Sequence, residues 1–160
     1  MKEKTETSSG GIVFKRLTSN DKRLTTLWLI CQHSYHKGWV FPKGLIGDKE
    51  SNESKEEAAL REVEEEGGIK TKIIHPEPVI VHFDYQWKGS PHAKGNEEII
   101  LVHKTVYYYL MEYISGDPKD HDWEMSDVKF VKEDEVIKTL TYESDKEAFK
   151  KILALMKLKQ

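Results

Sequence analysis

The chain has 160 residues, 38% of them hydrophobic and 10% aromatic, which is enough for a single domain, 1–160, with a sizeable core. With 25 Lys and Arg against 28 Asp and Glu the formal charge is -3, so the overall balance calls for neither a nucleic-acid nor an anionic-membrane partner. No apolar run approaches the roughly 18 residues of a spanning helix, the start MKEKTETSSG lacks a signal-peptide apolar region, and the lone Cys31 has no disulfide partner; the expectation is a soluble, cytoplasmic protein.

After a polar start, Gly10-Gly11 leads into the β-prone Ile12-Val13-Phe14, and the turn residues Thr18 to Asp21 separate it from a second strand over Thr25 to Gln32. Cys31 falls in the apolar run Leu27 to Cys31, where a buried inert thiol is expected. His33 to Gly38 is a polar loop. In Trp39-Val40-Phe41-Pro42-Lys43-Gly44, Pro and Gly predict irregular backbone.

The next segment is the most informative. Ser54 followed by Glu57 is a capping-box pattern, and Gly67-Gly68 supplies stop residues able to take positive φ, which predicts a helix over about 54 to 66. Glu62, Glu65 and Glu66 then stand at i, i+3 and i+4, within one arc of roughly 100°. Three like charges on one face repel unless a cation offsets them, and an oxygen-only donor set suits a hard ion such as Mg²⁺ or Mn²⁺ better than zinc. Ala59, Leu60 and Val63 form an apolar arc beside it.

Strands are predicted over 71–74 and 79–87, with a polar loop from Lys88 to Asn96, and a long β-rich run covers 99–113. A loop at Gly116 to Lys119 precedes a strand over 127–132 and a short helix over 133–140. Ser144 with Glu147 repeats the capping-box pattern ahead of a terminal helix whose Ala148, Phe149, Ile152, Leu153, Leu155 and Met156 recur at helical spacing. Strands on both sides of a helix, then a terminal helix, favour a mixed sheet covered on two faces. The seven histidines show no paired zinc-type spacing, and no serine or cysteine stands in a nucleophile motif. His33 and His36 are placed to line the mouth of a site, and Trp87 is the best tryptophan for stacking on a base.

The acidic segment resembles the signature of the Nudix hydrolases, G-x5-E-x7-R-E-U-x-E-E-x-G-U with U a bulky aliphatic. Gly47, Glu53, Arg61, Glu62, Val63, Glu65, Glu66, Gly68 and Ile69 satisfy every fixed position. The Trp39 to Gly44 stretch, the Gly10 to Phe14 opening and the terminal helix are also similar in order and spacing, so the likeness covers nearly the whole chain. In many relatives the glycine of the Pro-Lys-Gly turn is itself the first signature glycine. Here Gly44 precedes Gly47 by three residues, so either Glu50 or Glu53 can fill the first-glutamate role.

The resemblance implies an α+β fold, a three-layer α/β/α sandwich with a mixed sheet. It also implies hydrolysis of a nucleoside diphosphate linked to another group, with Mg²⁺ as cofactor and Mn²⁺ as substitute. By resemblance Glu62, Glu65 and Glu66 are metal ligands, completed by a backbone carbonyl at Lys43 or Gly44, and Arg61 orients the glutamates. Glu97 or Glu98 is the candidate general base. The Lys43 turn and the run His103 to Leu110 resemble dinucleoside polyphosphate hydrolases, which implies that Lys43, Gly44, Lys104 and Tyr108 lie near polyphosphate. The implied partner is a nucleotide-type small molecule, such as diadenosine tetraphosphate, bound by a monomer or homodimer. Two further readings carry the same signature: processing of RNA 5′ ends, which lacks an evident basic tract, and hydrolysis of damaged nucleoside triphosphates. A nucleotide sensor without turnover is the alternative from another class.

Overall fold

A computed structural model describes residues 2–47, 52–88 and 99–158. Eight strands form one mixed sheet: β1 Lys2–Thr18, β2 Leu24–His33, β3 Trp39–Val40, β4 Lys43–Leu45, β5 Ile69–Ile73, β6 Val79–Lys88, β7 Ile99–Gly116 and β8 Met125–Lys132. The helices are α1 Lys55–Gly67, α2 Glu133–Thr139 and α3 Glu143–Leu158, with a single 3-10 turn at Pro118–Asp120.

Two long strands organise the sheet. β1 and β7 run parallel from Lys2↔Ile100 to Phe14↔Glu112, and every other pairing is antiparallel. On its other edge β1 pairs first with β4, at Ser8 to Gly10, and then with β2, at Phe14 to Thr18. β7 likewise takes β6 along its first half and β5 along its second. The change of partner midway along β1 lets the Pro42-Lys43-Gly44 turn reach the middle of the sheet.

The period of two in the strands divides the core. Ile12, Phe14, Trp28, Ile30, Tyr108 and Leu110 face the layer of α2 and α3, where Phe149 and Ile152 pack. Val13, Leu29, Cys31, Tyr109 and Met111 face the other layer, with Ala59 and Val63 of α1. The expected three-layer α/β/α sandwich is therefore formed. No helix among the described residues is long and apolar enough to cross a membrane.

Several local expectations change. The polar start is strand, because residues 2–9 hydrogen-bond along β7 despite their charge. Trp39 to Gly44 is two short strands around Phe41-Pro42. Helix α3 begins at Glu143, which puts Ser144 inside the first turn instead of at its cap. The capping box of α1 forms as read, with Glu57 N–H donating to Ser54 Oγ at 3.1 Å and Ser54 N–H to Glu57 at 3.3 Å. Gly68 ends that helix at φ 73, a left-handed geometry that favours glycine.

Candidate active site

Helix α1 turns part of its acidic face inward. Glu62 and Glu66 are 5% and 4% exposed, on the same side as Ala58, Ala59 and Val63, whereas Glu65 stays partly open. The inward face meets β4. A Cβ at position 44 would overlap the Glu62 carboxylate, so a side chain there would push that carboxylate from its place against the turn. The Lys43 N–H donates to Glu66 Oε1 at 3.3 Å. Burial, and next the repulsion of Glu62 against the attraction of Lys43, push the Glu66 carboxyl up to about 9.

Arg61 holds the carboxylates in place. Its Nε and Nη2 donate to the two oxygens of Glu53 at 2.6 and 2.8 Å, a bidentate pair, and its Nη1 donates to Glu62 at 2.7 Å and Glu65 at 3.2 Å. Glu53 is nearly buried, also accepts the Gly47 N–H at 3.3 Å, and is held below the usual carboxylate range by Arg61. Glu53 thus takes the position paired with Arg61. Glu50 lies outside the described residues.

These groups form one side of a cleft of about 820 Å³. Lys43 and Lys104 bring positive charge to it, and Lys104 is only loosely paired, with Glu6 at 3.7 Å. Burial pushes the Lys104 ammonium below its ordinary value, so an added anion would stabilise it. Phe83 and Tyr85 of β6 form one wall. His33 and His36 stand at another, their rings stacked at 4.2 Å and 5°, with Tyr142 set edge-on to His36 at 5.8 Å. Each Nδ1 accepts a backbone N–H, from Tyr35 and Gly38, and burial lowers both imidazoles so that they stay neutral near pH 7. Ser8, fully buried beside the β4 turn, has the one buried side-chain oxygen among the described residues without a hydrogen-bond partner.

Tyr108 was expected at the substrate. Its ring is 0% exposed in the core and offers no face for stacking, because its strand position points it into the α3 layer against Phe41. Its hydroxyl donates to Asp145 Oδ1 at 2.9 Å, and Asp145 itself lines the cleft. Lys43, Gly44 and Lys104 do line it, as do His33 and His36. The general-base candidates Glu97 and Glu98 lie outside the described residues. Four cleft carboxylates carry no motif and were not legible in the sequence: Asp84 on β6, Glu124 in the loop before β8, and Glu143 and Asp145 in the first turn of α3. Glu124 is near enough to Glu66 to help raise it.

All the candidate cation donors are oxygens, and Glu62 and Glu66 are carboxylates too buried to be hydrated, so the residues suit a hard divalent ion. Among the described residues no three His, Cys, Asp or Glu side chains already stand as a ligand cluster. Arg61 bonds both Glu62 and Glu65, and a cation would share them with the guanidinium.

The layered sheet, the glutamate helix laid against a Pro-Lys-Gly turn and the mixed-charge cleft are the features to set beside known proteins. The family profile described as NUDIX domain matches residues 12–152, and the chain belongs to that family. It is 31% identical over 142 residues, 88% of the chain, to a protein of Mycobacterium tuberculosis provisionally named mutator protein MutT4. It is 33% identical over 85 residues to a Bacillus subtilis protein provisionally named 8-oxo-dGTP diphosphatase YtkD. The chain spans about half the length of these curated relatives, 52% and 43%. Among solved structures, an Ap4A hydrolase of Caenorhabditis elegans superposes with a TM-score of 0.66 at 22% identity, covering 94% of this chain and 97% of that one. The NUDIX domain of Shewanella oneidensis NrtR, crystallised with ADP ribose, gives 0.59 at 19% identity over 95% and 88% of the two chains.

Proposed function

We propose that this protein is a divalent-cation-dependent pyrophosphohydrolase that uses Mg²⁺, with Mn²⁺ as substitute, to cleave a dinucleoside polyphosphate such as diadenosine tetraphosphate. The observation that carries the reading is the pairing within one cleft of the buried carboxylates Glu62 and Glu66 with two lysines, Lys43 and Lys104. The first pair calls for a cation and the second for phosphate oxygens.

In this reading Glu62, Glu65 and Glu66, with a carbonyl of Lys43 or Gly44, hold the cation. When bound, it neutralises phosphate oxygens and acidifies water. The remaining work belongs to the chain. Lys43 and Lys104 take the charge of the phosphate chain and fix its direction. Arg61, braced by Glu53, keeps Glu62 and Glu65 on the cleft side of the helix. Glu124 orients the attacking water and accepts its proton as a P–O bond forms; the anhydride P–O bond opposite breaks and its oxygen leaves as a phosphate monoester. The aromatic walls receive a nucleoside. The reading assigns the protein to the cytoplasm, as a monomer or homodimer.

A second reading has a specific support: the names of both curated relatives refer to mutator or damaged-nucleotide chemistry. It makes the substrate an oxidised nucleoside triphosphate. Mg²⁺-dependent hydrolysis of diadenosine tetraphosphate, 8-oxo-dGTP, ADP-ribose, and triphosphorylated and capped RNA, ranked by kcat/KM, decides between the readings. Diadenosine tetraphosphate is expected to rank first. Preference for 8-oxo-dGTP by more than about tenfold, some 1.4 kcal/mol, overturns the first reading in favour of the second.

A further inference from the structure

Beyond the cleft the sheet continues as a three-stranded extension of β1, β6 and β7 whose two faces differ in kind. The registers Tyr85↔Val102 and Trp87↔Ile100, with Lys4↔Val102 and Lys2↔Ile100, place these six side chains on one face. The reverse face carries Glu3, Thr5, Asp84, Gln86 and His103 around the one apolar Leu101 and is mainly polar. The aromatic face is open: Tyr85 is 36% and Trp87 49% exposed, although a solvated strand would be expected to show polar residues at those positions. Helix α3 packs against β6 in the core cluster that holds Val79 and Val81, and Trp87 lies six residues, roughly 20 Å of strand, beyond Val81. The face is continuous with the cleft, whose wall already includes Tyr85 and Lys104.

We propose that this face is a second-nucleoside subsite, in which a base stacks on Trp87 beside Tyr85 while Lys4 and Lys2 meet the phosphates that lead to it. The inference rests on the assignment of a dinucleoside polyphosphate as substrate and adds where its far half lies. Two features favour a nucleoside over an apolar partner. Lys2 and Lys4 stand in register across β7 from the aromatic pair and bring positive charge to it, Lys4 shared with Glu6 at 3.4 Å, a carboxylate that also accepts the Tyr85 hydroxyl. The aromatic residues also recur at every second position, so each presents a separate ring to a planar ligand.

The test compares two ligands with the same number of phosphates, diadenosine tetraphosphate and adenosine 5′-tetraphosphate, on the wild type, Trp87→Ala and Trp87→Phe. In Trp87→Ala the KM for the dinucleoside ligand is expected to rise about tenfold, while kcat/KM for the mononucleoside ligand stays within about twofold. Trp87→Phe is expected to restore most of the loss. Equal changes for both ligands, or for neither, overturn the subsite. A larger loss for a 5′-triphosphorylated oligoribonucleotide than for diadenosine tetraphosphate overturns it in favour of a polynucleotide track. Equilibrium binding of both ligands, followed by calorimetry, separates this inference from the assigned activity. Selective weakening without wild-type turnover supports the subsite while refuting the hydrolase.

Discussion

Glu66 concentrates the chemistry of the site in one side chain. It is 4% exposed, faces Glu62, and without a cation holds its proton up to about pH 9, chiefly because burial disfavours its charge. A carboxyl raised above its ordinary 4.5 contributes stability that is complete below the unfolded value and is lost as pH climbs through the folded one. The metal-stripped protein is therefore expected to melt at progressively lower temperature between about pH 5 and 9, and Mg²⁺ is expected to restore most stability at the alkaline end. Thermal melts in EDTA and in Mg²⁺ across that range check this; a flat EDTA profile refutes the assignment. Glu65 is the complementary probe, since its carboxylate is partly exposed and contributes little to packing. Glu65→Gln is expected to keep the melting temperature within a few degrees and to lower kcat at least about a hundredfold, a loss of some 2.7 kcal/mol of transition-state stabilisation. Near-normal turnover in that variant removes it from the ligand set.

At the scale of the element, α1 is a short helix of 13 residues carrying eight acidic and basic side chains, and its ends do much to define it. Ser54 and Glu57 satisfy donors at its start, and Gly68 turns the chain out of it at φ 73. Ser54→Ala is expected to cost about 1 kcal/mol, seen as a fall of roughly 2–4 °C in melting temperature, with kcat nearly unchanged because the site lies two turns further on. A large drop in kcat would mean that the cap also sets the pose of Glu53, its neighbour and the brace of Arg61. Both helix ends and the signature pattern were legible because caps and i, i+3, i+4 spacing are local. The terminal helix was legible by its apolar period but not by its start: Ser144-Glu147 has the sequence of a capping box, yet Thr141 and Tyr142 already hold the chain in place. Thr141 N–H donates to Trp39 O at 3.1 Å, and the Trp39 N–H donates back to Thr141 Oγ1 at 2.8 Å.

At the scale of the whole molecule, the cleft is made by elements distant in sequence. Phe149 shows how they are tied together: its ring meets Trp28 edge-on at 5.0 Å and Phe41 at 6.0 Å, joining α3 to β2 and to the loop before the Lys43 turn. Phe149→Ala is expected to destabilise the fold by about 3–5 kcal/mol and to raise KM as well, since Asp145 in α3 and Tyr142 just before it, both lining the cleft, lose their support. Calorimetry with substrate titration checks both; lost stability with unchanged KM would show that the cleft wall is held elsewhere.

The sequence by itself determined the helix of the signature, the nature of its carboxylates, the apolar strands of the sheet and the family likeness, because each is written in residues within a few turns of one another. It did not give the pairing of Glu53 with Arg61, put Tyr108 in the site and passed over Glu124 and Asp145. Those questions turn on contacts at long range: which carboxylate Arg61 reaches, which face of β7 meets α3, and which loop closes over the helix. Only the tertiary structure decided them, because burial and charge pairing depend on what the far parts of the chain bring to the same point. The polar first strand has the same cause, since eight charged or hydroxylated residues form a ladder only where β7 is already present to bind them.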